Sequence, residues 1–156
     1  MITANSFMKR EFGKKLIEDY LPTVDLDVII NTSGAYIPGH GTPTVLLFGS
    51  AQEPSSDEVL AVLAKRGEPT TPADPTKGEV WSSIAAHWSE VGFENDYVSV
   101  ARVARTQLGK HPWSLGGGGA GELKNLLEER ASGTLGSRTT AIGFDAIMGE
   151  DDLFFG

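Results

Sequence analysis

Residues 24–50 read VDLDVIINTSGAYIPGHGTPTVLLFGS, and this stretch decides the fold. Residues 24–30 (VDLDVII) alternate apolar and acidic side chains and then finish apolar, the pattern of a strand with one better-buried face. Residues 44–49 (TVLLFG) form a second, apolar strand suited to the middle of a sheet. Between them, residues 31–43 hold three Gly, two Pro and only two sizeable apolar side chains, Tyr36 and Ile37. A connection of that length is uncommon unless it is functional or disordered, and we take it as functional. Tyr36 lies between Gly34 and Gly39-His40-Gly41, so an aromatic ring rides on a bendable loop at the mouth of a hairpin. Such a ring can stack on a flat ligand such as a nucleobase for about 1–3 kcal/mol. For a tyrosine considered alone, ordinary packing within the loop is the commoner state.

Upstream, Met1-Ile2-Thr3-Ala4 reads as the tail of a buried strand rather than a loose terminus. Ser6 can then cap a helix over residues 7–20 that carries Phe12, Leu16, Ile17 and Tyr20 on one side. Gly13 within it costs about 1 kcal/mol relative to Ala, and Pro22 ends it. Lys9, Arg10, Lys14 and Lys15 spread around this segment. They form either a solvated helix face or a phosphate-contacting ridge beside a site at the strand's carboxyl end.

Downstream, residues 51–56 are a polar joint after which the composition changes. Residues 59–64 (VLAVLA) suit a strand or a helix, and the early stop at Arg66-Gly67-Glu68-Pro69 favours the strand. A helix is expected over 78–88, with Val80, Trp81, Ile84 and Trp88 on its apolar side, and a strand over 97–103. Four glycines, 116–119, precede a helix over 120–131 that carries Leu123, Leu126 and Leu127. Residues 132–156 end with acids and Leu153-Phe154-Phe155, and no internal repeat is visible.

Composition bounds the function. The 156 residues hold 40% hydrophobic side chains, enough for a real core, and fit one domain or one and the start of another. No apolar run approaches the roughly 18–20 residues of a membrane span, and no signal peptide opens the chain. The absence of cysteine excludes disulfides, thiol catalysis and cysteine-bound zinc, and suits a reducing, cytoplasmic setting. A formal charge of −8 argues against a free-standing, non-specific nucleic-acid binder, though not against a piece of a larger nucleic-acid enzyme. Residues 1–50 carry four basic and five acidic side chains, so the acid excess lies downstream.

The remaining constellations are weak. The glycines 116–119 invite a phosphate-loop reading, but no Lys-Ser/Thr follows and Glu122 already answers the helix dipole, so a flexible loop is expected. His40, His87 and His111 are far apart in sequence, and none forms a metal-ligand pair, so no metal site is expected. Asp151-Asp152 reads as a solvated charge run. No Gly-x-Ser-x-Gly elbow occurs.

Taken together, ITANSFMKREFGKKLIEDYLP (2–22), residues 24–50 and HPWSLGGGG (111–119) resemble the later part of an N6-adenine DNA methyltransferase of the large restriction–modification type. More narrowly they resemble the adenine methyltransferases of BREX (phage growth limitation) defence. The resemblance implies an α/β fold: the C-terminal portion of a Rossmann-like class I methyltransferase sheet over residues 1–50, followed over 51–156 by a mixed α+β region that begins DNA recognition. Met1–Ala4 would end the fifth strand, and residues 24–30 and 44–49 would form the antiparallel hairpin that closes the sheet. It also implies that Tyr36 stacks on an extruded adenine, as base methylation outside the duplex requires. Asn5 and Ser6 would shape the pocket wall, and Lys9, Arg10, Lys14, Lys15 and His40 would contact DNA. S-adenosylmethionine would be the methyl donor, and double-stranded DNA the substrate. The upstream methyltransferase sequence or other defence-system proteins would be partners, with no membrane involved. The family's Gly-rich donor motif and Asn-Pro-Pro-Tyr catalytic motif do not occur here, and glycines 116–119 would lie on the wrong side of the fold to substitute. The chain alone is therefore expected to be inactive, with no catalytic residue of its own. The alternative is a non-catalytic DNA- or protein-binding module derived from a methyltransferase fold.

Overall fold

The computed structural model describes residues 1–39, 41–133 and 135–140. The expectations for His40, for Asp151-Asp152 and for Leu153-Phe154-Phe155 lie outside the described residues. The chain divides into two compact units, Met1–Leu123 and Lys124–Gly156.

The first unit is built on one mixed five-stranded sheet: β1 (Ile2–Ala4), β2 (Asp25–Asn31), β3 (Thr44–Ser50), β4 (Glu58–Ala64) and β5 (Val98–Ala104), in the order β1-β3-β2-β4-β5. β3 runs antiparallel to both β1 and β2, β4 is parallel to β2, and β5 is antiparallel to β4. Strands β1, β2 and β4 therefore share one direction, and their carboxyl ends, Ala4, Asn31 and Ala64, share one edge of the sheet. The polar joint at 51–56 is a loop between neighbouring parts of this sheet, which runs on past residue 50 through β4 and β5.

The alternation of strand residues gives the sheet two covered faces. Ile29, Val45, Leu47 and Val59 pack with Phe7, Met8, Ile17, Leu21, Trp113 and Leu115. Ile30, Val62, Val98 and Val100 pack with Val80 and Ile84 of α1 (Glu79–His87). β2 is buried on both sides, hence its continuous apolar ending. A register shift between Leu26 and Val28 turns Leu26 to the face of Ile29, which plain alternation would deny it. β5 is followed at once by the single turn of α2 (Arg105–Leu108).

The helix expected over residues 7–20 is replaced by short irregular turns. Two 3-10 turns, Asn5–Met8 and Glu11–Gly13, lead into a π-helical turn, Leu16–Tyr20, and a further 3-10 turn, Leu21–Thr23. Ser6 sits inside the first turn rather than capping a helix, and Phe12, expected on the apolar side, is 71% exposed. Tertiary contacts supply the reason. The Met8 carbonyl accepts the Trp113 N–H at 2.8 Å, and the Arg10 carbonyl lies 3.1 Å from His111 Nε2. A Cβ on Gly13 would overlap the Phe7 carbonyl, so the chain folds back where a helix would run straight.

The helix expected over 120–131 is present as α3 (Ala120–Arg130), with Leu123, Leu126 and Leu127 exposed and Lys124 3.7 Å from Glu128. No helix among the described residues is long and apolar enough to cross a membrane.

Candidate functional site

In open α/β sheets, ligands gather outside the carboxyl ends of parallel strands. Here that edge carries a hydrogen-bonded cluster. The Asn31 side chain accepts from the Ser33 amide at 3.1 Å and from the Ser33 hydroxyl, and it donates to the Leu115 carbonyl at 3.0 Å. The Asn5 amide group donates to Ser33 Oγ at 2.7 Å, joining the end of β1 to the loop after β2. Thr32 closes the loop's neck: its amide donates to the Thr44 carbonyl at 3.1 Å, and its hydroxyl lies 2.6 Å from that of Thr44. The loop is long, but its base is rigid.

The loop after β4 holds the next turn. The Glu68 amide donates to the Gly34 carbonyl at 3.0 Å. Gly34 packs so closely on this segment that a Cβ would come within 2.6 Å of the Arg66 carbonyl oxygen. The Glu68 carboxylate accepts the amides of Glu79 at 2.8 Å and Val80 at 3.0 Å, capping the start of α1 from eleven residues upstream. One residue thus ties the tyrosine loop, through its amide, to the first turn of a helix, through its carboxylate.

Tyr36 projects from this frame at 38% exposure. With Ala35, Ile37 and Pro38 it lines a cleft of about 290 Å³. Ile2 and Leu46 enter from β1 and β3, and Trp81 from α1. The two threonines in the lining are already engaged, Thr32 with Thr44 and the Thr76 hydroxyl with Asp74 at 2.7 Å. A second cleft of about 440 Å³ also borders Tyr36 and takes in Glu68, Thr70 and Thr71. An apolar, partly aromatic cleft of this size suits a small flat ligand.

The other expected site residues are placed as follows. Asn5 is anchored to Ser33, whereas the Ser6 carbonyl accepts the Arg10 amide at 2.9 Å, and neither lines the cleft. Lys9, Arg10, Lys14 and Lys15 are exposed, and none is in an ion pair with a described residue. Their segment covers the Ile29 face of the sheet, whereas α1 and the Tyr36 cleft belong to the Ile30 face. His87 stacks on Phe93 with ring centroids 3.8 Å apart, and the His111 amide donates to Glu18 at 3.1 Å, so both histidines bind the fold together. Glycines 116–119 start against the sheet. Gly116 bridges to Ala64 at the carboxyl end of β4, and the Gly117 amide donates to the Ala64 carbonyl at 2.9 Å. The glycine run therefore lies at the same sheet edge as the tyrosine loop, drawn there because Gly117 passes where a Cβ would strike Ser99 and Lys65.

A buried, ion-paired carboxylate sits at the opposite edge. Asp25 opens β2 at the amino edge, where Arg105 donates to its carboxylate at 2.5 Å and Ser55 at 2.6 Å. Hydrogen bonds from the Ser55 hydroxyl and amide, together with the Arg105 guanidinium, hold the Asp25 carboxyl below its ordinary value of 3.8. Arg105 also donates to the Leu26 carbonyl at 2.9 Å, so this cluster is a structural clamp.

Sequence reasoning gave Ser33, Glu68 and Trp81 no place in the site, and took Gly34 as a source of bend rather than of close packing. The signal for Trp81 was available: Val80 and Ile84 alone make a buried i, i+4 pair, which leaves Trp81 at the rim of the helix's apolar side. Glu68 gave no such signal, since a carboxylate eleven residues before a helix matches no local capping pattern.

No family model matches the chain. The chain is similar to the adenine-specific methyltransferase PglX of Streptomyces coelicolor, with 43% identity over 155 residues. The match takes in 97% of this chain and 13% of that protein, so the chain spans about an eighth of the length of the curated relative it matches. The likeness to an adenine-specific methyltransferase therefore holds over nearly every residue of the chain.

Proposed function

We propose that this chain is the part of an N6-adenine DNA methyltransferase of the BREX type that closes the catalytic sheet and begins DNA recognition. The observation that carries the reading is the 43% identity to PglX over 97% of the chain. The strand arrangement supports it: β1 and β2 flank an antiparallel β3, as a closing hairpin beside a fifth strand requires. In this reading residues 1–50 finish the catalytic sheet, and the segment from 51 onward extends it through β4 and β5 into the recognition region. Tyr36 is the platform for the extruded adenine, which must leave the duplex before N6 can be methylated. Asn5 holds the tyrosine loop through Ser33, Ser6 shapes the turn after β1, and Lys9, Arg10, Lys14 and Lys15 contact DNA phosphates. The setting is cytoplasmic, and the parent enzyme marks host DNA in phage defence.

The methyl donor of such an enzyme is S-adenosylmethionine, and the residues of this chain do not fit it. The Thr32 and Thr76 hydroxyls of the Tyr36 cleft are bound to Thr44 and Asp74, and no carboxylate lines that cleft to hold a ribose diol. Donor pocket and catalytic Asn-Pro-Pro-Tyr would come from methyltransferase sequence beyond this segment. The experiment is Tyr36→Ala in the complete enzyme. Turnover should fall more than tenfold, the equivalent of about 1.4 kcal/mol or more, while S-adenosylmethionine affinity stays nearly unchanged. Equal turnover would remove Tyr36 from the reaction.

A further inference from the structure

Three tryptophans occur in the chain, and the structure treats them differently. Trp113 is a core residue: it is 2% exposed, its indole N–H donates to the Leu108 carbonyl at 2.6 Å, and it packs edge-on against Phe7 with centroids 5.7 Å apart. Trp88 stands exposed at the far end of α1 and is not part of the Tyr36 cleft. Trp81 is neither of these. It is 36% exposed in the first turn of α1 and lines the cleft together with Tyr36. Among the described residues its indole N–H has no hydrogen-bond partner. A tryptophan that is half sunk, without a partner for its N–H, presents both an aromatic face and an unused donor.

We propose that Trp81 supplies the second aromatic surface of the base-binding cleft, so that an extrahelical purine is received by Trp81 and Tyr36 together. The proposal rests on the reading of Tyr36 given above. Its physical basis is preorganisation. Val80 and Ile84, both fully buried, seat α1 on the sheet, and Glu68 links that helix's first two amides to Gly34, two residues before Tyr36. The two rings therefore belong to one hydrogen-bonded frame and need little ordering when a base arrives. The threonine hydroxyls in the lining are spent within the fold, which leaves two ring faces with the Tyr36 hydroxyl and the Trp81 N–H at their edges, so the cleft recognises chiefly a π-face. Its occupant is accordingly any unstacked purine, and discrimination of adenine has to come from groups outside this cleft.

The test uses the full 156-residue chain and a duplex oligonucleotide carrying 2-aminopurine opposite an abasic site, with a fully paired duplex as control. Stacking on the two rings should quench the 2-aminopurine fluorescence. Trp81→Ala should abolish the quenching and weaken binding of the abasic duplex about tenfold, leaving the paired duplex unaffected. Trp81→Phe, which keeps an aromatic ring and protects against a folding artefact, should retain most of both. Tyr36→Ala should resemble Trp81→Ala. Normal quenching by Trp81→Ala alongside loss in Tyr36→Ala would overturn the role of Trp81 and leave that of Tyr36 standing. The reverse pattern would overturn Tyr36 and leave Trp81. A parent chain that does not quench, or two variants that both quench normally, would overturn both.

Discussion

Asp25 shows what a buried carboxylate does when it has no substrate to serve. It is 7% exposed, and its oxygens are taken by Arg105 and Ser55. The folded chain therefore binds the carboxyl proton less tightly than the unfolded chain, whose Asp titrates near 3.8. Unfolding takes up a proton between those two values. The stabilisation is complete above about pH 4 and drains away as the pH falls through the folded-state value. Asp25→Asn should accordingly be less stable than the parent near neutrality, and the gap in melting temperature should narrow as the solution is acidified. A gap that stays constant with pH would mean that the clamp works by shape and not by charge. The Arg105 contacts to Val24 and Leu26 carbonyls would then carry it.

The segment from Asn5 to Thr23 is where element-scale reasoning meets its limit, and Gly13 gives the measurement. In the interior of an ordinary helix, Gly13→Ala would stabilise by about 1 kcal/mol. Here the new methyl group would overlap the backbone of Phe7, which cannot rotate away. The expected outcome is a destabilisation of about 1–3 kcal/mol, the usual range for overpacking, read as a lower melting temperature. A rise would restore the continuous helix. The sequence marked the strands β2 to β5 because their apolar patterns are dictated by the sheet faces that bury them, and α1 because Val80 and Ile84 repeat at helical spacing. The 5–23 segment lacked such a code: its carbonyls are claimed by Trp113 and His111, about a hundred residues away, and local periodicity is blind to that. The candidate site divides in the same manner. The bendable loop and Tyr36 were legible from composition, whereas its fastening to Glu68 and the arrival of Trp81 depend on which loops share the sheet edge.

At the scale of the whole molecule the proposed function raises the question of how a chain of charge −8 would meet DNA. Residues 1–50 carry four basic against five acidic side chains, and those four, Lys9, Arg10, Lys14 and Lys15, are exposed on one crossover. If each neutralises a phosphate, together they contribute about 3.6 to the slope of log K against log salt. Replacing all four with Ala should flatten the slope by about that amount, and each single replacement by about 1. An unchanged slope would leave the crossover as an ordinary solvated surface. The position of the crossover adds a second condition. It covers the Ile29 face of the sheet, whereas the Tyr36 and Trp81 cleft lies with the Ile30 face, and the two approach each other at the carboxyl edge through the Asn5–Ser33 bond. Sites without shared partners act independently. The loss of affinity for an abasic duplex in a combined Lys9/Arg10/Lys14/Lys15→Ala and Trp81→Ala chain should therefore equal the sum of the separate losses to within about 0.5 kcal/mol. A larger interaction energy would mean that the backbone grip decides whether a base can reach the cleft at all. The Asn5–Ser33 bond, the direct link between the two faces, would then be the next contact to break.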